Sequence, residues 1–366
     1  MKKLYIMRFI FPLLASLVFM ACSDDDEPKD ENPVTSVPWA KVPNLNNDVY
    51  NSLFINNKLT ILDRNNLFYD IQLSAVGNPQ SIINFQTRLG RYRLPLSQDI
   101  FVSRSETEVY LFPNSSVKSD DATKVNIKTF DPDFSSFEDI PFWQGDVLGM
   151  DPAGTTVLIP YRTTVNGFAN NNPNYLLLKT SIQDGKVIIN DHKLIKEQLK
   201  DYFVETAAIR SLKNFFLVVV EGSTFKINLN GEIELLANSP LRAVEKENQI
   251  YFFEENIDTG KVRITNADIN GGNRRSIGEY DLSLETLSAS YSVVDNQIIG
   301  YSGKNIFLIS ISGSSIKTEP LQNDGIEGSI SSITKVGTDK VLITLIRLGQ
   351  GGAVTKPLAN FIDKIK

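Results

Sequence analysis

The chain has 366 residues, 37 Lys and Arg against 43 Asp and Glu, and a formal net charge of −6. Its single histidine and single cysteine exclude a multi-histidine zinc centre, a thiolate metal site and an internal disulfide. The mild acidity gives no electrostatic footing for nucleic acid or an anionic lipid surface.

Lys2, Lys3 and Arg8 form a basic start, Phe9 to Met20 is an uncharged apolar run, and Ala21-Cys22 closes it. About twelve apolar residues are too few to span a hydrocarbon layer roughly 30 Å thick, so residues 1–21 are expected to be an export signal. Ser23-Asp24-Asp25-Asp26-Glu27 follows at once. This order resembles a bacterial lipoprotein signal, and the acidic run after the cysteine resembles the surface-export signal of Bacteroidota lipoproteins. The resemblance implies lipidation at Cys22, an outer-membrane location facing the cell exterior, and attachment to the membrane through the lipid. Residues 22–35, rich in Asp, Glu and Pro, cannot build a core and are expected to be a flexible tether. With the leader's three positive charges and the five net negative ones of residues 22–31 set aside, the rest carries −4.

Residues 36–366 are expected to form one domain, because no Pro/Ser-rich or Gly/Ser-rich break interrupts them. Seven apolar, strand-length runs begin at residues 59, 109, 157, 216, 250, 298 and 341, a mean step of 47. Four tight-turn signals, Asp184-Gly185, Asn230-Gly231, Asn270-Gly271 and Ser312-Gly313, recur with glycines 46, 40 and 42 residues apart. Glycine accepts the positive φ of such turns, and Asn or Asp tolerates it. Strand, tight turn, strand, loop at this period resembles an all-β β-propeller, with seven blades of four antiparallel strands expected and six or eight as alternatives. A sandwich and a β-helix are the rival folds. Val354 to Ile362 has the look of the last strand. Val37-Pro38-Trp39-Ala40-Lys41-Val42 is expected to complete the final blade, pairing the chain's two ends so that no edge stays open.

In such a ring, turns between strands one and two and between three and four lie on one face, where nearly all connections are tight. The longer connections, 113–123, 131–146, 161–174 and 192–206, fall on the other face. Leu194, Ile195, Gln198, Leu199 and Tyr202 fit one helical stripe, which predicts a short helix over 193–203. Long loops on a rigid scaffold are where binding residues concentrate. Asp139, Phe142, Trp143, Tyr161, Arg162 and Asn172 combine aromatic faces, a guanidinium, an amide and a carboxylate there, suiting a glycan or a protein interface. The competing view has the aromatics Phe134, Phe137, Phe142 and Trp143 holding the loop down.

No catalytic or metal site is expected, and no cofactor. His192 sits alone beside Asp191, and Asp268-Ile269-Asn270-Gly271-Gly272-Asn273 has the spacing of a hairpin turn rather than a calcium loop. The function expected is a surface binding module capturing a glycan, a small nutrient or a partner protein such as an outer-membrane transporter. The alternative is a surface polysaccharide hydrolase or lyase drawing on the loop carboxylates Asp131, Asp133, Glu138, Asp139 and Asp146.

Overall fold

A computed structural model describes residues 37–362 except 56, 64–66, 73–79, 85–93, 106, 114–120, 138–145, 197–198 and 200–207. The leader, Cys22 and the acidic tether lie outside the described residues, as do Asp139, Phe142 and Trp143.

The described residues form seven antiparallel sheets, named I to VII in chain order. The first strand, β1 (Ala40–Lys41), is set apart and joins the last sheet. Sheet I holds β2 (Val49–Ile55), β3 (Lys58–Asp63), β4 (Leu67–Gln72) and β5 (Gln80–Asn84). Sheet II holds β6 (Ile100–Arg104), β7 (Glu108–Pro113) and β8 (Thr123–Asn126). Sheet III holds β9 (Phe134–Phe137), β10 (Gly149–Met150), β11 (Thr156–Val165), β12 (Phe168–Gln183) and β13 (Lys186–Ile195). Sheet IV runs β14 (Ala208–Ser211), β15 (Phe215–Val220), β16 (Ser223–Asn228) and β17 (Ile233–Ala237). Sheet V runs β18 (Leu241–Lys246), β19 (Gln249–Asn256), β20 (Lys261–Asp268) and β21 (Arg275–Asp281). Sheet VI runs β22 (Ser290–Val294), β23 (Gln297–Ser302), β24 (Asn305–Ser312) and β25 (Ser315–Leu321). Sheet VII comprises β26 (Ser329–Val336), β27 (Lys340–Ile346) and β28 (Gly352–Pro357), with β1 as its fourth strand. The architecture is a β-propeller.

Each of the seven apolar runs is the second strand of its sheet: β3, β7, β11, β15, β19, β23 and β27. A second strand has neighbouring sheets packed on both sides, so both of its faces are buried and it reads as an unbroken hydrophobic run. In β27 the five residues Val341–Leu345 are all buried. In β17, an outermost strand, none of the five is buried.

The four turn signals all join third to fourth strands. Gly185, Gly231, Gly271 and Gly313 have φ of 73°, 75°, 79° and 60°. Two of these turns repeat the same device. The Asn228 side-chain oxygen accepts from the Asn230 and Glu232 amides at 2.9 and 3.0 Å, and Asp268 does the same for Asn270 and Gly272 at 2.9 and 3.0 Å. Asp268 is therefore occupied as a turn-forming acceptor. A lysine from the preceding sheet then grips each tip: Lys193 Nζ donates to the Asn230 carbonyl at 2.9 Å, and Lys226 Nζ to that of Asn270 at 3.3 Å.

The ends of the chain meet as expected. Ala40 pairs with Thr355 and Lys41 with Val354. Trp39 is buried, its ring edge-on to Phe361 at 5.8 Å, and its indole N–H donates to the Gln322 carbonyl at 3.2 Å. Two expected elements differ. The strand over 354–362 ends at Pro357, and Leu358–Asn360 forms a 3-10 turn whose Leu358 amide bonds the Asp339 carbonyl. The helix over 193–203 does not begin as predicted, because Lys193 to Ile195 complete β13, paired with Leu177 to Tyr175.

Candidate functional site

The face expected to carry long loops departs from regularity mainly at sheet III. Strands β11 and β12 have ten and sixteen residues, against six to eight for the second and third strands of sheets I and IV to VII. The segment 161–174, expected to be a loop, is the top of this hairpin. Tyr161 pairs with Asn174, the register then shifts, and Thr163 to Val165 pair with Asn170 to Phe168 across an Asn166-Gly167 turn. The short strand β9 adds to the other edge of β11, matching Tyr161 with Phe137 and Arg162 with Ser136.

A buried ionic cluster fixes this extension. The Asp131 carboxylate accepts from the Tyr161 hydroxyl at 2.7 Å and from the Asp133 amide at 3.1 Å, and pairs with Lys196 at 2.6 Å. Burial pushes the Asp131 carboxyl up, but Lys196, Tyr161 and the Asp133 amide together hold it below the usual carboxylate range. Burial beside that carboxylate pushes the Tyr161 phenol far up, so it stays a donor. Phe134 and Phe137 are buried with their rings 5.1 Å apart, and the Arg104 guanidinium lies 5.2 Å from the Phe137 ring centre.

This geometry corrects part of the sequence reading. Tyr161 has no exposed surface and is a prop rather than a ligand-facing ring. Phe134 and Phe137 are likewise core residues that hold their segment down. Arg162 is half-buried on β11, opposite Ser136. Asn172 is half-buried in the register shift, its carbonyl accepting from Asn174 at 3.0 Å. His192 is exposed on β13 with its ring 4.9 Å from Phe130. Among the described residues no group of three or more His, Cys, Asp or Glu is placed to hold a metal ion.

What sequence reasoning missed is the distribution of exposed apolar tips. Phe168, Ile257, Leu284 and Leu348 are 79%, 77%, 91% and 88% exposed. Phe168 opens β12 just after the β11–β12 turn, Ile257 sits in the β19–β20 turn, Leu348 in the β27–β28 turn and Leu284 between β21 and β22. All four connections lie on the same face, the one that carries the extended hairpin. The tight turns of the opposite face end instead in Asp184-Gly185, Asn230-Gly231, Glu247-Asn248, Asn270-Gly271 and Asp295-Asn296.

Three of the apolar tips sit in connections held by side-chain hydrogen bonds. Buried Asp48 accepts from the amides of Arg347, Gly349 and Gly351 at 2.6, 2.7 and 3.1 Å, wrapping the loop that presents Leu348. Leu348 is held at φ 46°, a left-handed conformation that costs a leucine about 1–3 kcal/mol. The Asn256 side chain accepts from the Thr259 amide at 2.9 Å beside Ile257. The Thr286 hydroxyl accepts from the Ser283 amide at 2.8 Å beneath Leu284.

No protein-family model matches the chain, and no curated protein matches its sequence. Solved structures do. The β-propeller domain of Myceliophteria thermophila Cps50 (Swd1) is similar over 87% of this chain and 99% of its own length, at 11% identity and a TM-score of 0.51. An extracellular domain from B. thetaiotaomicron matches 87% of this chain over 39% of its own, at 10% identity and a TM-score of 0.48. YCF48 bound to D1 peptide matches 89% of this chain at 10% identity and a TM-score of 0.44. At 11% identity the likeness to the first of these speaks for the fold alone.

Proposed function

We propose that this protein is a lipid-anchored binding module that docks a partner protein on the propeller face bearing the extended hairpin. The observation that carries the reading is the set of four protruding aliphatic and aromatic tips on that one face, three of which (Ile257, Leu284 and Leu348) sit in connections held by side-chain hydrogen bonds. An exposed apolar residue on a strained or tightly capped turn is retained at a cost in stability, and protruding apolar groups ringed by polar ones are the usual makeup of a protein interface. Arg162 and Asn172 belong to the same contact surface in this reading, and Asp139, Phe142 and Trp143, outside the described residues, are proposed from the sequence alone to contribute to binding. The anchor rests on the leader, where acylation of Cys22 supplies the hydrophobic attachment and places the module on the outer membrane.

The test of docking is a variant carrying Phe168→Ser, Ile257→Ser, Leu284→Ser and Leu348→Asn. With the melting temperature preserved, it is expected to lose at least tenfold in the yield of a defined cross-linked partner on intact cells. An unchanged cross-link would remove the face from consideration. Binding to a glycan array that disappears with Trp143→Ala would instead favour sugar capture at the same surface. Cys22→Ser is expected to move the protein out of the membrane fraction after carbonate washing; continued retention would refute the anchor.

A further inference from the structure

The sequence holds three Asn-Gly pairs, Asn166-Gly167, Asn230-Gly231 and Asn270-Gly271, each in a turn with its asparagine exposed. Such a pair carries a reaction of its own. The glycine's backbone nitrogen, on losing its proton, can attack the asparagine side-chain carbonyl, because no Cβ shields it and glycine is free to swing toward that carbon. Exposure does not separate the three asparagines. Their surroundings do. Two of the turns hold the glycine still. The Gly231 amide donates to the Asn228 carbonyl at 2.9 Å, and the Gly271 amide to the Asp268 carbonyl at 2.9 Å. Gly231 is seated against Lys193, Ile195 and Leu177, where a Cβ would meet atoms at 2.9 to 3.3 Å, and Gly271 against the Phe215 ring at 3.2 Å. The Asn270 side-chain oxygen is itself engaged, accepting from the Asn214 amide group at 2.8 Å. An N–H spent on a carbonyl keeps its proton and its place until that bond breaks.

Gly167 has none of these restraints. Its amide has no acceptor among the described residues, and a Cβ there would meet nothing within 4 Å. Asn166 and Gly167 stand at φ of 52° and 80° as the two-residue turn of the extended hairpin. Beyond the register shift, only the pairing of Thr163, Thr164 and Val165 with Asn170, Ala169 and Phe168 closes this tip. Opening it breaks three cross-strand pairs, so the tip belongs to the low-stability end of the molecule.

We propose that Asn166 is a site of spontaneous deamidation, and that among the three Asn-Gly pairs the fold confines the reaction to it. The Gly167 nitrogen bonds to Asn166 Cγ, the Cγ–Nδ2 bond breaks, and Nδ2 leaves as ammonia with the amide proton, closing a five-membered imide. Water then opens either of the ring's carbonyl–nitrogen bonds. One opening gives aspartate in the ordinary chain. The other gives isoaspartate, whose backbone runs through the former side chain and is one methylene longer. Both products put a carboxylate next to Phe168, the apolar tip of this hairpin, and isoaspartate also spoils the two-residue turn. In the docking reading a neutral tip becomes anionic with age. The chemistry does not rest on that reading.

The test ages the purified protein in mildly alkaline buffer. Each Asn-Gly pair is then followed by mass spectrometry after digestion at acid pH, where the amide nitrogen keeps its proton and the reaction stops. Asn166 is expected to convert at least tenfold faster than Asn230 or Asn270. In the urea-unfolded chain the three are expected to convert at similar rates, since the restraints on Gly231 and Gly271 are gone. Asn166→Asp keeps a residue that tolerates the turn's backbone, and is expected to elute on ion exchange from the start where the aged wild type elutes. Conversion of Asn166 no faster than the other two in the folded protein overturns the proposal. An equal lead for Asn166 in urea overturns it as well, because the following side chain and not the fold would then set the rate.

Discussion

Two seams of the ring are built from different materials. Between sheets V and VI the contact is aromatic and aliphatic: Phe253 stacks on Tyr291 at 3.7 Å, the Tyr280 and Tyr291 hydroxyls lie 2.9 Å apart, and Val262, Ile264 and Ile309 pack around them. Between sheets VII and I, where the two ends of the chain meet, Val49, Leu59 and Ile61 pack on Val336, Leu342 and Ala353, and a cluster of small hydroxyl side chains is added to that apolar contact. Ser52 lies 2.7 Å from Ser332 and 2.6 Å from Thr334, and Thr344 lies 2.7 and 2.6 Å from Ser331 and Ser332. Ser331 also donates to the Val49 carbonyl. Bulk fills a seam between neighbours in sequence, where register is already set by short connections. The closing seam joins residues about 280 apart, and directional hydrogen bonds specify one register where apolar packing alone would tolerate several.

The largest effect is expected at the aromatic seam. Tyr291→Ala should lower stability by about 3–5 kcal/mol in denaturant unfolding, since it empties a fully buried site. Its phenol, like that of Tyr280, which burial pushes up to about 12, stays protonated across the physiological range, so this seam should be insensitive to pH there. Next is the ionic junction at sheet III. Tyr161→Phe leaves the buried Asp131 carboxylate short of a donor and should cost about 1.5–3 kcal/mol. The Asp131 carboxyl is held low in the folded state, so its contribution is present above its unfolded pKa and is lost as pH falls through the folded one. Asp131→Asn should therefore flatten the acid limb of a stability-against-pH profile and leave the alkaline limb alone. At the closing seam, Thr344→Val should cost about 1–3 kcal/mol. Thr344→Val combined with Ser331→Ala should cost less than the sum, because both changes remove the same Ser331–Thr344 hydrogen bond. Strict additivity would mean that the hydroxyls do not act as a network. Smallest of all, Phe168→Ser should move stability by no more than about 0.5 kcal/mol, as befits a residue that is 79% exposed.

How much of this the sequence disclosed follows from burial. Runs such as Phe216 to Val220 and Val341 to Ile346 are legible because a strand enclosed on both faces has no polar positions to break its pattern. The glycine turns are legible because few other residues adopt their backbone. The β11–β12 extension reads as a loop in the sequence because Asn170 to Asn174 are four amides and a proline, with no apolar alternation. One signal was available. Asn166-Gly167, with φ of 52° and 80°, is the same turn pair that marks two of the other hairpins. The buried role of Tyr161 was hidden because its partner, Asp131, is thirty residues away in a stretch that reads as exposed acid. Lone apolar residues such as Leu284 and Leu348 mean nothing along the chain, and acquire meaning only when the fold gathers them on one face.

Strand β1 also sets a timetable. Its partner β28 lies more than 300 residues further along, and the carbonyl that receives the Trp39 indole is 283 residues away. A chain that folds from its N-terminus must keep residues 37–42 waiting, unpaired, until almost everything else has been made. During that interval Trp39 has no pocket, and sheet I lacks sheet VII as its neighbour. Ring closure is thus a late, high-contact-order event whose entropic cost falls on the final step. A circular permutant carrying residues 37–48 after residue 362 makes that step local. It should fold faster at nearly unchanged stability, and chains stopped before β28 should be cleaved within residues 37–42 while the permutant's earlier sheets stay protected.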